Sequence, residues 1–116
     1  MADKNARRLE EERAATANLI DSLTRQVTGI IESSTWTTND DEHDPEGATI
    51  AFERAQLQSM LTQAHIDLES IGNAERRLQD GTYGLCERCA KPIPEARLDA
   101  LPAATHCIPC LDKPRR

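Results

Sequence analysis

The chain has 116 residues, 29% of them charged and 3% aromatic, with a net charge of -6. So short a chain leaves much of its surface exposed, and the Ala, Leu, Gln, Glu and Arg that dominate its first eighty residues are the composition of long helices, so a mainly α, elongated protein is expected. The acidic balance argues against general nucleic-acid binding, which sets Lys and Arg against phosphates; Met1-Ala2-Asp3-Lys4 lacks a signal peptide's apolar run, and no stretch approaches the roughly 20 apolar residues that cross a bilayer, so a cytoplasmic protein with a protein partner is expected.

From Leu9 the seam positions run Leu9, Arg13, Thr16, Ile20, Leu23, Val27 and Ile30, alternating steps of four and three. This is heptad spacing and predicts a helix over residues 4–33, capped by Asp3, with Leu19 and Ile31 widening the apolar stripe. Arg13 and Thr16 weaken the seam. Arg7 with Glu11 and Arg8 with Glu12 read as solvent-face pairs. Residues 33–43 are polar and poor in core formers, which suits a turn between antiparallel helices, and Trp36 in such a turn either packs on the hairpin end or touches a partner.

A second helix is expected from Asp44 as N-cap and Pro45 as first helical residue, with Glu46 complementing the positive end of the dipole. Its stripe is Ile50, Leu57, Leu61, Ala64, Leu68, Ile71 and Leu78, with Arg54 and Glu75 in the same register. Gly81 closes it. The two stripes zip into an antiparallel coiled-coil hairpin over residues 1–80, with an acidic tip near residues 39–46. Gly29 and Gly72 cost about 1 kcal/mol each in a helix, with close helix contact as one reason for keeping them. His43 and His65 read as surface groups, and Arg76, Arg77 and the terminal Lys113-Pro114-Arg115-Arg116 as solvent-facing charge.

Residues 81–116 form the second expected domain, a small four-cysteine module with a short tail. Cys86-x2-Cys89 is followed after seventeen residues by Cys107-x2-Cys110. In a reducing compartment such pairs are thiolate ligands rather than disulfides, and two tight knuckles supply the four sulfurs of one structural Zn2+. Iron–sulfur ligation uses the same thiolates and is the alternative. Four thiolates leave no open coordination position, so catalysis at the metal is not expected. His106 reads as a flanking surface residue, while Arg88, Lys91 and Lys113 either offset the cluster's charge or simply solubilise it.

The run Gly81-Thr82-Tyr83-Gly84-Leu85-Cys86-Glu87-Arg88-Cys89, then Arg97-Leu98-Asp99-Ala100-Leu101-Pro102, then Cys107-Ile108-Pro109-Cys110, closely resembles the DksA/TraR family of four-cysteine zinc-finger transcription regulators. The resemblance implies a non-enzymatic bacterial protein that binds RNA polymerase directly, without direct sequence-specific DNA binding, while the short polar connection favours a monomeric hairpin over a paired dimer. Its hairpin would enter the secondary channel and bring an acidic tip, here Asp40, Asp41, Glu42, Asp44 and Glu46 with Trp36, towards the active-site magnesium. Well-known members carry two tip aspartates separated by two intervening residues, the first followed by proline, and an alanine two places after the second. Aligning Asp44-Pro45 with that pair puts Gly47 and Thr49 at the second aspartate and the alanine; aligning Asp41 and Asp44 instead puts Glu46 at the alanine. The alternative function is a zinc-stabilised coiled-coil adaptor for another protein.

Overall fold

A computed structural model describes residues 2–36 and 45–111. Four helices follow in chain order: α1 (Ala2–Trp36), α2 (Pro45–Asp80), α3 (Glu95–Ala100) and α4 (Ile108–Leu111). The protein is mainly helical, and α1 and α2 pair as an antiparallel hairpin. Arg13 of α1 meets Glu75 of α2, while Gln26 and Ile30 line a groove with Ile50 and Leu57, so rising numbers in one helix meet falling numbers in the other.

The expected seam is the buried face. Leu9, Thr16 and Leu23 are buried and Arg13, Ile20, Val27 and Ile30 half-buried; opposite them Ala64 and Ile71 are buried and Ile50, Leu57, Leu61, Leu68 and Leu78 half-buried. Two expectations fail. Leu19 is 46% and Ile31 40% exposed, so the stripe is only one heptad seam wide, as two helices can cover one narrow stripe and no more. Ala74, unassigned in the sequence reading, is buried.

Helix boundaries also shift. The first helix begins at Ala2, so Asp3 lies inside the first turn rather than at a cap. It runs on to Trp36 because Ser33, Ser34 and Thr35 include no glycine or proline to stop it. The second helix starts at Pro45 as expected. Asp40, Asp41, Glu42, His43 and Asp44 lie outside the described residues, as do Lys113 and the tail; Trp36 and Glu46 are placed in α1 and α2 by backbone only.

The end of α2 is a complete Schellman cap. Gly81 takes φ +81°, its N–H reaches Leu78 O at 3.3 Å, and the Thr82 N–H reaches Arg77 O at 2.9 Å. Gly29, in contrast, has no packing reason in this chain: a Cβ there would meet nothing within 4 Å. A Cβ at Gly72 would make ordinary contacts, 3.7 Å to Arg13 Nη2 and 3.9 Å to Arg76 Nη1. G29A is therefore expected to stabilise the protein by roughly 0.5–1 kcal/mol through helix propensity alone, read as a raised urea midpoint at unchanged slope.

The chain divides into two compact units. One comprises Met1–Ala15 with Leu68–Arg116, the other Thr16–Asp67. In the first, Leu9, Ile71 and Ala74 are buried alongside a separate small core of Cys86, Ile93, Leu98 and Cys110. In the second, Thr16, Leu23 and Ala64 are the buried residues. No described helix is long and apolar enough to cross a membrane.

Candidate metal centre

The module after Gly81 is built from tight turns and the two short helices α3 and α4. Leu85 and Pro92 form an isolated antiparallel bridge, and the Cys86 N–H reaches Lys91 O at 2.9 Å, so the chain folds back on itself around Cys86-Glu87-Arg88-Cys89. Closing that knuckle takes Ala90 to φ +63°, with its N–H on Cys86 O at 2.9 Å. A non-glycine residue in that conformation costs on the order of 1 kcal/mol, which the surrounding bonds offset. The second pair sits at the start of α4, where the Leu111 N–H reaches Cys107 O at 3.0 Å. The Glu87 N–H on Thr105 O, at 2.8 Å, ties the two cysteine-bearing turns together.

This folding brings Cys86, Cys89, Cys107 and Cys110 together with all four sulfurs within 4.8 Å of one another. The Cys89 and Cys107 sulfurs are 3.7 Å apart. Zinc–sulfur bonds of about 2.3 Å at tetrahedral angles set sulfurs about 3.8 Å apart, whereas a disulfide needs about 2.05 Å, so the donor set fits one structural zinc ion. The ion, when bound, would supplement the small hydrophobic core of this module with four metal–sulfur bonds. His106 is not among the clustered ligands; its Nδ1 lies 2.9 Å from the Thr105 hydroxyl.

The thiols are electrostatically unequal. Burial pushes the Cys86 thiol up, but hydrogen bonds from the backbone N–H groups of Cys89, Cys107 and Arg88 outweigh it and bring it down to about 5. Cys110 is pushed up to about 12 by its hydrogen bond with Cys107 and by burial. The two thiols are thus shifted in opposite directions, Cys86 towards the thiolate and Cys110 towards the protonated form.

Side chains that the sequence reading placed on solvent hold this module to the helices. Arg8 does not pair with Glu12. Its Nη2 reaches Glu95, and Asp99 at 3.3 Å, both on α3, and Lys4 Nζ reaches Glu95 at 3.1 Å. The Arg8 side chain is only 9% exposed and its Nη1 is buried without a hydrogen-bond partner. Arg77 is likewise not a solvated charge: it binds the Glu87 carboxylate and the carbonyls of Thr82 and Leu85 at the mouth of the first knuckle. Arg97 Nε donates to His106 O at 3.0 Å beside the second cysteine pair, and Tyr83 donates its hydroxyl proton to Pro102 O at 2.8 Å. A sequence signal for half of this exists: Glu95 and Asp99, four apart, share one face of α3 while Leu98 turns into the core. The partner, Arg8, is 87 residues from Glu95 and carries no such signal.

The Arg8 bond, followed by the Lys4 bond, lowers the pKa of Glu95. A carboxylate lowered on folding stabilises the protein above its unfolded value of about 4.3, and that contribution is lost as pH falls through the lower folded value. Removing the acceptors (E95Q/D99N) is expected to destabilise more than removing the cation (R8M). The first leaves a nine-tenths-buried guanidinium unpaired, whereas the second leaves two carboxylates facing water. Urea melts of both variants and the parent at neutral pH and at pH 3.5 check the order, and the gap to E95Q/D99N should narrow in acid.

A helical hairpin closed by a four-thiolate metal site defines the class: a zinc-finger protein in which the metal organises structure and leaves no coordination position for substrate. Residues 81–115 match the prokaryotic dksA/traR C4-type zinc finger. The RNA polymerase-binding transcription factor DksA of Caulobacter vibrioides is 41% identical over 49 residues, 42% of this chain and 34% of its own length. General stress protein 16O of Bacillus subtilis is 32% identical over 68 residues, 59% of this chain and 42% of its own. The chain thus matches well under half the length of these curated relatives. Transcription factor DksA2 from Pseudomonas aeruginosa shares the fold, with a TM-score of 0.76 at 22% identity over 96% of this chain and 80% of that one. The chain carries the DksA/TraR zinc finger on a DksA-like fold.

Proposed function

We propose that the protein is a non-catalytic regulator of bacterial transcription that acts in the cytoplasm by binding RNA polymerase directly. The observation that carries this reading is the DksA/TraR finger at residues 81–115 following a two-helix hairpin, the combination found in a fold whose named relatives include an RNA polymerase-binding factor. In this reading residues 1–80 are the reaching element and residues 81–116 the zinc module that anchors it. The acidic tip of the hairpin enters the polymerase secondary channel and delivers Asp40, Asp41, Glu42, Asp44 and Glu46, together with Trp36, towards the catalytic magnesium. Opposite potentials support such an approach, because a carboxylate-rich segment is drawn to a channel leading to a divalent metal and basic nucleotide-binding groups.

Co-purification with RNA polymerase from native extract tests binding, using the full chain and a deletion of residues 39–46. Competition with a transcript-cleavage factor for purified polymerase tests the channel. The full chain should bind and compete, and D41N/D44N should alter transcription while leaving binding largely intact. Absence of both binding and competition would leave the coiled-coil adaptor as the better reading.

A further inference from the structure

Arg13 and Glu75 both stand at seam positions, where the neighbouring seam residues Leu9 and Ile71 are each 1% exposed. Instead of apolar packing they form a two-pronged bond, with Arg13 Nε on Glu75 Oε2 at 3.1 Å and Nη2 on Oε1. Gly72, one turn earlier on α2, puts no side chain between them: a Cβ there would stand 3.7 Å from the Arg13 guanidinium. The two side chains remain 43% and 37% exposed. Solvent screening at that exposure leaves an ion pair little net stabilising effect, and two well-packed apolar residues in its place would extend the buried stripe.

The pair does discriminate between alternative pairings. A parallel, in-register association of α1 helices from two copies sets Arg13 against Arg13, and one of α2 helices sets Glu75 against Glu75. Sliding the hairpin by one heptad moves Arg13 opposite Leu68, or in the other direction opposite Thr82, beyond the end of α2 at Asp80. Two hairpins stacking side by side would have to desolvate both charges. Only the antiparallel α1–α2 register gives each its partner. We propose that Arg13 and Glu75 are a pairing-specificity element that fixes the antiparallel register of α1 against α2 and disfavours parallel, like-helix association with a second copy, at the expense of stability. Charged and polar seam residues in coiled coils act this way on register and oligomer state.

The test uses the full zinc-loaded chain as the parent, the double leucine variant R13L/E75L and the charge-swapped R13E/E75R. Sedimentation equilibrium and thermal melts are run over a hundredfold concentration range, with amide NMR spectra of each. The parent and R13E/E75R should each remain a single monomeric species whose melting midpoint does not depend on concentration. R13L/E75L should melt higher than the parent, with a mass that climbs towards twice the monomer as concentration rises and more than one set of α1 resonances. The proposal is overturned if R13L/E75L stays monomeric with one set of resonances throughout, if R13E/E75R associates as readily as R13L/E75L, or if the parent itself is dimeric.

Discussion

Stripping zinc from the reduced protein is expected to unfold the module around the cysteines and to loosen the unit it belongs to. The core there consists of Cys86, Ile93, Leu98 and Cys110, so half of its buried residues are metal ligands, and little apolar burial remains once the ion is gone. Structural zinc sites contribute on the order of 10 kcal/mol, comparable to the whole stability of a small domain. Loss of that contribution should raise amide exchange through residues 85–111. It should also reach residues 4–15 of α1, because Arg8 and Lys4 rest on α3 through Glu95 and Asp99. Residues 16–67 form their own compact unit with Leu23 and Ala64 buried, and should keep more of their protection. Hydrogen exchange with and without chelator, with metal content measured on the same samples, checks this; unchanged protection over residues 85–111 in metal-free protein would refute it. Zinc retention should also weaken as pH falls. Cys110, its thiol pushed up to about 12, gives up its proton on binding, so acid competes with the metal for the same sulfur.

L98A should be strongly damaging although it alters no ligand residue. Leu98 is 4% exposed, sits in the core with Cys86 and Cys110, and packs against the Gly84 turn, where a Cβ would lie 3.5 Å from its Cδ1. Truncating a buried leucine costs about 2–5 kcal/mol, through lost burial and the cavity left behind. In a module whose metal binding and folding are one equilibrium, that loss should also appear as weaker zinc affinity. Urea denaturation gives the first quantity and competition with a chromophoric chelator the second. Leu101, just beyond α3 and 52% exposed, is the control: L101A should change stability by no more than about 0.5 kcal/mol. Equal effects of the two substitutions would mean that α3 does not couple the metal site to the rest of its unit.

Much of the architecture could be read from local chemistry. The alternation of four and three along Leu9 to Ile30 marks a helix face without any knowledge of its partner, because 3.6 residues per turn is a property of the backbone. Pro45 and Gly81 mark the ends of α2 because each restricts or frees its own φ, and the Gly81 cap has the bonds that a left-handed residue permits. The cysteine cluster was visible for a related reason: a two-residue spacing lets one turn aim two sulfurs at one ion, so each half-site is local.

What the sequence by itself determined, then, was set by neighbours a few residues apart: the two long helices, most of their seam, the cap that ends α2, the paired thiolates and the family their motif resembles. Tertiary structure alone decided where the charged side chains go. Arg8, read as a partner of Glu12, reaches α3; Arg77, read as solvated, serves the carbonyls of the first knuckle; and Arg13 and Glu75, read as flaws in two separate stripes, satisfy one another. The physical reason is reach. A long flexible arginine is indifferent to its sequence neighbours when a buried or better-oriented acceptor lies within range, and that range is set by how distant segments pack.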